Sequence, residues 1–358
     1  MAPIATSTAF HQRKKSALFK LAACNGKRLG VYSQLLGSTR WKSRPKEIPV
    51  KSPGDRMTNT IQRRDFLKAS GLAAASLSLG ATTLQGGPPE LIKNSPGHPR
   101  LLSGCCAYSY RKFLQNGPMT MEDFILKAVE LEIDGVDMTT YYFKSTEPSY
   151  IIGLRRLAFR NGVPFSGAAI GTNMCQPDPT KRAEEFEKIK KWLEVTELLG
   201  ASHLRVFGGE VPKGASDEQG IQWVVETMKP ACDYAATKGI TLGIESHGGI
   251  TSKAANILEI LRRVDSPYAG CNLDITHFRE DPYTQIEALI PFATHTHIRD
   301  VYGEPKKPLD LDRVWGLFAQ GGYKGFTSAE YEGDEDPMTG VPKLLAKIKA
   351  LNKKYSTV

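Results

Sequence analysis

Four segments of the chain carry ionisable residues of the types that hold cations or move protons. They are Gly243-Ile244-Glu245-Ser246-His247-Gly248-Gly249, Asn272-Leu273-Asp274-Ile275-Thr276-His277-Phe278, His295-Thr296-His297-Ile298-Arg299-Asp300 and Ser328-Ala329-Glu330-Tyr331-Glu332-Gly333. Within them Glu245, Asp274, His297 and Glu330 follow one another at intervals of 29, 23 and 33 residues. Each interval has the length of one strand plus one helix. If the segments end adjacent parallel strands, the four side chains converge. Three carboxylates held that close repel and raise one another's pKa unless a cation sits among them. One imidazole and three carboxylates suit one divalent metal ion (Mn2+, Mg2+ or Co2+) with positions left open for substrate. No cysteine joins the set, which argues against a structural zinc site.

Each residue also has a plainer reading. A glutamate at a strand end, such as Glu330 or Glu332, can serve only to cap the next helix. Alternation puts His295 on the same side as His297 but one layer deeper, where it reads as a hydrogen-bonded core histidine. His203, in mid-strand, reads the same way, and His247 could cap a helix. The recurrence at four successive strand ends is what sets the pattern apart.

The elements that must position these residues are visible from 101 to 358. Apolar runs at Leu101–Ala107, Gly135–Met138, Phe165–Ala169, His203–Phe207, Thr241–Glu245, Ala269–Asp274, Thr294–Ile298 and Gly325–Glu330 read as parallel strands covered on both faces. Helical stretches separate them. Thr120 with Asp123, and Ser216 with Gln219, have capping-box spacing, and Asp281-Pro282 offers an N-cap followed by proline. Asn161-Gly162, Gly200 and Gly239 are stop signals before strands. The charge run from Glu184 to Lys191 reads as the solvated face of a helix buried through Phe186, Ile189, Leu193 and Leu198. Eight strand–helix beats over 258 residues predict an α/β fold, a (β/α)8 TIM barrel. A doubly wound sheet is the fallback, disfavoured because no G-x-G-x-x-G follows the first strand.

The chain of 358 residues has a formal charge of +9, which on its face suggests a nucleic-acid partner. The charge is unevenly placed. Residues 1–56 carry 12 basic and 2 acidic side chains, residues 57–100 carry 5 and 2, and residues 101–358 carry 30 and 34. The basic excess therefore lies in the leader, and the body, at −4, is wrong for gripping phosphates. Gln62-Arg63-Arg64-Asp65-Phe66-Leu67-Lys68, followed by a 13-residue run rich in Ala, Gly, Ser and Leu, resembles a twin-arginine export signal. That run is too short to span a bilayer. The expected organisation is a basic leader over 1–56 (disordered, or a misassigned start before Met57), a signal over 57–83, a linker over 84–100 and the barrel over 101–358. The expected location is periplasmic or otherwise extracytoplasmic, with the export machinery as a partner and no stable membrane span. Cys24 lies in the leader. The other five cysteines lack C-x-x-C spacing and read as buried free thiols.

On the four segments and the barrel pattern, residues 101–350 resemble the xylose-isomerase-like TIM-barrel superfamily of sugar phosphate isomerases and epimerases. The resemblance implies that Glu245, Asp274, His297 and Glu330 are metal ligands and that Glu245 and Glu330 also act as base and acid. It implies that His247 and His277 touch substrate oxygens. Asn173, Gln176 and Glu210 sit where relatives line the sugar pocket, and Arg299 stands where many relatives have Lys. It further implies a small sugar as substrate, proton transfer through an enediolate, and a homo-oligomer. An exported member is expected to take unphosphorylated sugars. No clear Lys/Arg phosphate grip is visible, Lys306 and Lys307 being the nearest. Two other readings belong to different classes. One is a barrel that binds carbohydrate or metal without turnover. The other is an abasic-site endonuclease, which would need further histidines after the second, third and seventh strands, where this chain has none.

Overall fold

The computed structural model describes residues 98–303 and 305–356. The expected leader, twin-arginine signal and most of the linker lie outside the described residues. Within them the chain alternates strand and helix as the apolar runs predict. The strands are β1 (Arg100–Cys106), β2 (Gly135–Thr139), β3 (Phe165–Ala169), β4 (His203–Val206), β5 (Thr241–Glu245), β6 (Ala269–Asp274) and β7 (Ala293–Ile298). A small antiparallel ladder of β8 (Val301–Tyr302) and β9 (Lys307–Pro308) follows, and then β10 (Lys324–Ala329). The ladder, set in the loop after β7, was not foreseen from the sequence. β3, β5 and β6 have the expected bounds, and the other barrel strands differ by a residue or two.

The eight long strands close into a barrel in the order β1-β10-β7-β6-β5-β4-β3-β2. All its pairings are parallel. This is the (β/α)8 TIM barrel expected from the eight beats. Every residue of β2 and β4 is buried, as a parallel strand covered by helices outside and by side chains inside requires.

The helices begin and end where local chemistry dictates. Capping boxes form at Thr120 with Asp123 and at Ser216 with Gln219. Asp281 accepts from the Thr284 amide ahead of a helix whose first residue is Pro282. The helices Pro179–Leu199 and Asp217–Lys238 stop at Gly200 and Gly239, both left-handed. The first of these buries Ile189 and Leu193 and turns its charged run outward, with Phe186 and Leu198 half-buried against the core. Cys105, Cys106, Cys175, Cys232 and Cys271 are buried free thiols. Among the described residues no helix is long and apolar enough to cross a membrane.

Two glycines are dictated by close approach, one inside the barrel and one on the loop after β4. A Cβ on Gly243 of β5 would lie 2.2 Å from His203 Nε2, so the absent side chain makes room for an imidazole beneath Glu245. Gly209, at φ +102°, would place a Cβ 1.9 Å from Asn173 Oδ1. We expect Gly243→Ala to cost about 1–3 kcal/mol through overpacking. A denaturant midpoint unchanged from wild type would show that His203 does not depend on that space.

Candidate active site at the carboxyl ends of the strands

Glu245 and Asp274 are the last residues of β5 and β6, His297 is the penultimate residue of β7, and Glu330 follows β10 directly. Strand register brings them to one level. Asp274 pairs with His297, His297 pairs with Ser328, and the Glu330 amide continues the ladder to the Ile298 carbonyl at 3.0 Å. One donor atom from each of the four side chains lies within 4.8 Å of the others, and all four residues are buried. His297 Nδ1 stands 2.7 Å from Glu245 Oε1 and 3.4 Å from Glu330 Oε1.

The charges are compensated unequally. Glu245 has Arg205 Nε at 3.4 Å and accepts from Asn272 Nδ2 at 3.0 Å. Burial alone would raise its pKa, but Arg205 and His297 together hold it down at about 2. Asp274 accepts from the Thr276 amide at 2.9 Å and its hydroxyl at 2.5 Å, a tight local turn at the strand end. Its other oxygen takes the Arg299 guanidinium and His277 Nε2, the latter at 3.2 Å. Burial opposes ionisation there too, yet Arg299 and His277 keep the carboxyl well below the ordinary range. At Glu330 burial wins over His297 and Arg299, and its pKa is raised. His297 moves up, because Glu330 and a hydrogen bond to Asp137 outweigh the burial that would lower it.

A second layer lies beneath. His295 bonds Asn272 Oδ1 at 3.0 Å, Ser166 Oγ at 3.1 Å and Ser328 Oγ at 3.2 Å, and stacks on His203 at 5.3 Å between ring centroids. Burial pushes His295 down to about 3 and His203 to about 4, so both are neutral. They fill the barrel as core histidines, which is how alternation read them.

Residues 125–351 match the xylose isomerase-like TIM barrel family. The chain belongs to that family. It is similar to a human protein named "Putative hydroxypyruvate isomerase", at 23% identity over an alignment of 183 residues that covers 46% of this chain and 65% of the relative. The chain thus spans just under two thirds of that relative's length. Among solved structures, a D-psicose 3-epimerase in the presence of D-fructose shares the fold at a TM-score of 0.60 and 17% identity, over 71% of this chain and 99% of that one. A D-allulose 3-epimerase from Methylomonas sp. with D-allulose gives 0.56 and 20%, over 73% and 100%. At such identities the likeness is one of fold.

On this xylose isomerase-like barrel the substrate-contact candidates divide into two groups. A cavity of about 510 Å³ is lined by His247, His277, Arg299 and Glu332. The His247 and His277 rings lie 4.2 Å apart, and the His247 amide donates to Thr251 Oγ1 at 3.3 Å. Arg299 is 11% exposed, and its guanidinium bonds Asp274, Glu332 and His277. Asn173, Gln176 and Glu210, on the loops after β3 and β4, do not line that cavity. Asn173 Oδ1 is buried beside Gly209 without a hydrogen-bond partner, and Glu210 is exposed. Lys253, Arg279 and Lys306 add basic groups to the cavity wall that were not grouped from the sequence, whereas Lys307 is not part of it. Lys253 pairs with Asp217 at 2.8 Å, and Lys306 donates to the Glu332 carbonyl at 3.2 Å.

Three members of the cluster escaped the sequence reading. Asp137 Oδ2 of β2 lies 2.8 Å from His297 Nε2, across the barrel. Arg205 serves Glu245 from β4, and Asn272 bridges the two layers from β6. A charged residue inside a fully buried parallel strand is the signal that could have found the first two, since such a residue needs a partner.

The donor set fits a divalent cation by geometry and by charge. An ion about 2.0–2.2 Å from each donor holds them within about 4.4 Å of one another, close to the spacing present. Four buried carboxylates (Asp137, Glu245, Asp274, Glu330) face only two guanidinium groups (Arg205, Arg299), and the remaining negative charge draws protons toward His297 and Glu330, which a bound cation would replace.

The neutral lower layer has a pH signature. His203 ordinarily titrates near 6.5 and is held to about 4 in the fold, so its contribution is complete above 6.5 and lost as pH falls from there. Across that window it steepens the loss of stability by about 1.4 kcal/mol per pH unit. We expect His203→Gln to show a correspondingly shallower dependence between pH 4.5 and 6.5, read by denaturant unfolding (~pH range set by the linkage). Parallel profiles would mean that His203 is not held neutral.

Proposed function

We propose that the chain is a metal-dependent sugar isomerase or epimerase that moves a proton next to a carbonyl. The observation that carries this reading is the convergence of Glu245, Asp274, His297 and Glu330, one donor atom from each within 4.8 Å of the others; among these protein groups alone Glu245 is pushed down and Glu330 up. Titratable groups driven apart by their surroundings are the mark of an acid and a base sharing one site. Glu245, ionised, takes the proton from the carbon beside the carbonyl. Glu330, protonated, returns one to the neighbouring carbon in an isomerisation or to the opposite face of the same carbon in an epimerisation. The enzyme is then left with Glu245 protonated and Glu330 ionised, and a proton passing back between them resets it.

Glu245, Asp274, His297 and Glu330 are the residues that would hold the ion. When bound, a divalent cation polarises the carbonyl and offsets charge on the enediolate. His247, His277 and Arg299, on the cavity wall, would hold substrate oxygens. Asn173, Gln176 and Glu210 would close the far side of the sugar if their loops approach it. The family match and the epimerase neighbours support this chemistry, and the twin-arginine segment supports an extracytoplasmic enzyme acting on unphosphorylated sugars.

One observation favours a second reading of the substrate. Lys253, Arg279 and Lys306 in the cavity wall would suit a sugar bearing phosphate or carboxylate.

The test is incubation of free aldoses and ketoses, and their phosphorylated counterparts, in deuterated water with Mn2+, Mg2+ or Co2+. We expect deuterium at the carbon next to the carbonyl, with free sugars preferred. A preference for sugar phosphates above about tenfold in kcat/KM, or some 1.4 kcal/mol, would move the assignment to the second reading. Glu245→Gln and Glu330→Gln should each lower exchange by at least about 10²-fold while unfolding cooperatively. Absence of exchange with every sugar, in protein that takes up the metal, would favour a barrel that binds without turnover.

Calorimetry tests the metal separately. His297→Gln and Asp274→Asn should each weaken Mn2+ binding by about tenfold or more, since each removes one of four donors. Unchanged affinity in both variants would place the ion elsewhere.

A further inference from the structure

We propose that Asp137 is the positioning residue for His297, holding its ring so that Nδ1 faces Glu245, Asp274 and Glu330. The inference rests on the metal reading above and assigns a role to a residue outside the four donors. Asp137 sits within β2, opposite Cys106 of β1 and Gly167 of β3, and is 2% exposed. β2 and β7 are not neighbours in the barrel, so the contact is made through the interior.

An imidazole has two nitrogens, and here both are committed. Nε2 lies 2.8 Å from Asp137 Oδ2, while Nδ1 lies 2.7 Å from Glu245 Oε1. A carboxylate only accepts hydrogen bonds, so Asp137 requires a proton on Nε2, and Glu245 draws a second proton to Nδ1. A divalent ion held by the cluster would displace the Nδ1 proton and take its lone pair, while Asp137 keeps the proton on Nε2. A carboxylate behind a ligating histidine fixes the tautomer and the ring plane and makes the other nitrogen a stronger donor.

One further observation argues for positioning over simple packing. Asp137 Oδ1 has no hydrogen-bond partner although it is buried, a cost of about 1–3 kcal/mol that an apolar side chain would avoid.

The test compares the whole protein with Asp137→Ala and Asp137→Asn. Isothermal titration with Mn2+ reads affinity, and 15N NMR of histidine-labelled protein, apo and with diamagnetic Mg2+, reads which ring nitrogen carries the proton. In wild type we expect a hydrogen-bonded proton on Nε2 of His297. In Asp137→Ala we expect that signal to be lost and Mn2+ affinity to fall by about 10–100-fold. Asp137→Asn, which keeps the shape and can still offer a carbonyl oxygen, should fall between the two. It decides the question alone if the alanine variant does not fold.

Affinity within about twofold of wild type in the folded variants, against the 10–100-fold loss expected of such a partner, would overturn the proposal. So would a wild-type His297 without a proton on Nε2. If the wild-type protein takes up no Mn2+, Mg2+ or Co2+, the metal reading fails instead. The Nε2 proton in the apo protein, and its loss in the variants, then still decide whether Asp137 orients the ring.

Discussion

The constraint on which the rest depends is the gathering of four buried carboxylates at one end of a closed barrel. Asp137, Glu245, Asp274 and Glu330 are each at most 6% exposed, and together they surround one imidazole. Like charges that close, shielded from water, cannot all remain ionised without cations beside them. Arg205 and Arg299 supply two positive charges, and the proton drawn to His297 supplies part of a third. The groups are interdependent, since removing one member of a buried ion pair leaves its partner uncompensated.

Barrel closure makes that gathering possible, and the lower layer makes it tolerable. Parallel strands in register deliver one side chain every second residue to the interior, so the residues two positions below the cluster are as tightly constrained as the cluster itself. Gly243 and His295 occupy those positions on β5 and β7. His203, packed against Gly243, and His295 are neutral and stacked, so the floor of the site supplies hydrogen bonds without adding charge. Asn272 joins the floor to the site by donating upward to Glu245 and accepting from His295.

How much of this could be read in advance depends on the range of the signal. Strand ends are local features, so Glu245, Asp274, His297 and Glu330 were legible from segments of seven residues or fewer, and the eight-beat barrel from period alone. Asp137 and Arg205 were not. Each lies inside an apolar run; the partner of Asp137 is set by closure across the barrel, 160 residues away at His297, and that of Arg205 by the pairing of β4 with β5. Arg299 was legible as a site residue but not as the bridge between Asp274 and Glu332, which depends on where two loops end. The basic residues of the cavity wall were missed for the same reason. Lys253, Arg279 and Lys306 come from three different loops, and no window of sequence contains them together.

The placing of the two arginines also explains why equivalent-looking carboxylates differ. Arg205 reaches Glu245 from the neighbouring strand β4, and Arg299 reaches Asp274 from the end of β7, at contact distance in the second case. Glu330 faces the same Nδ1 of His297 from farther away, at 3.4 Å, and otherwise has Arg299 at 3.7 Å and the Cys106 thiol at 3.7 Å from its other oxygen. A thiol whose own pKa burial has pushed up to about 12 brings no positive charge and little solvation. Desolvation therefore governs Glu330, while nearby cations govern Glu245 and Asp274. The asymmetry that we read as acid and base thus follows from which strand carries each guanidinium, because the four strand ends are otherwise alike in depth.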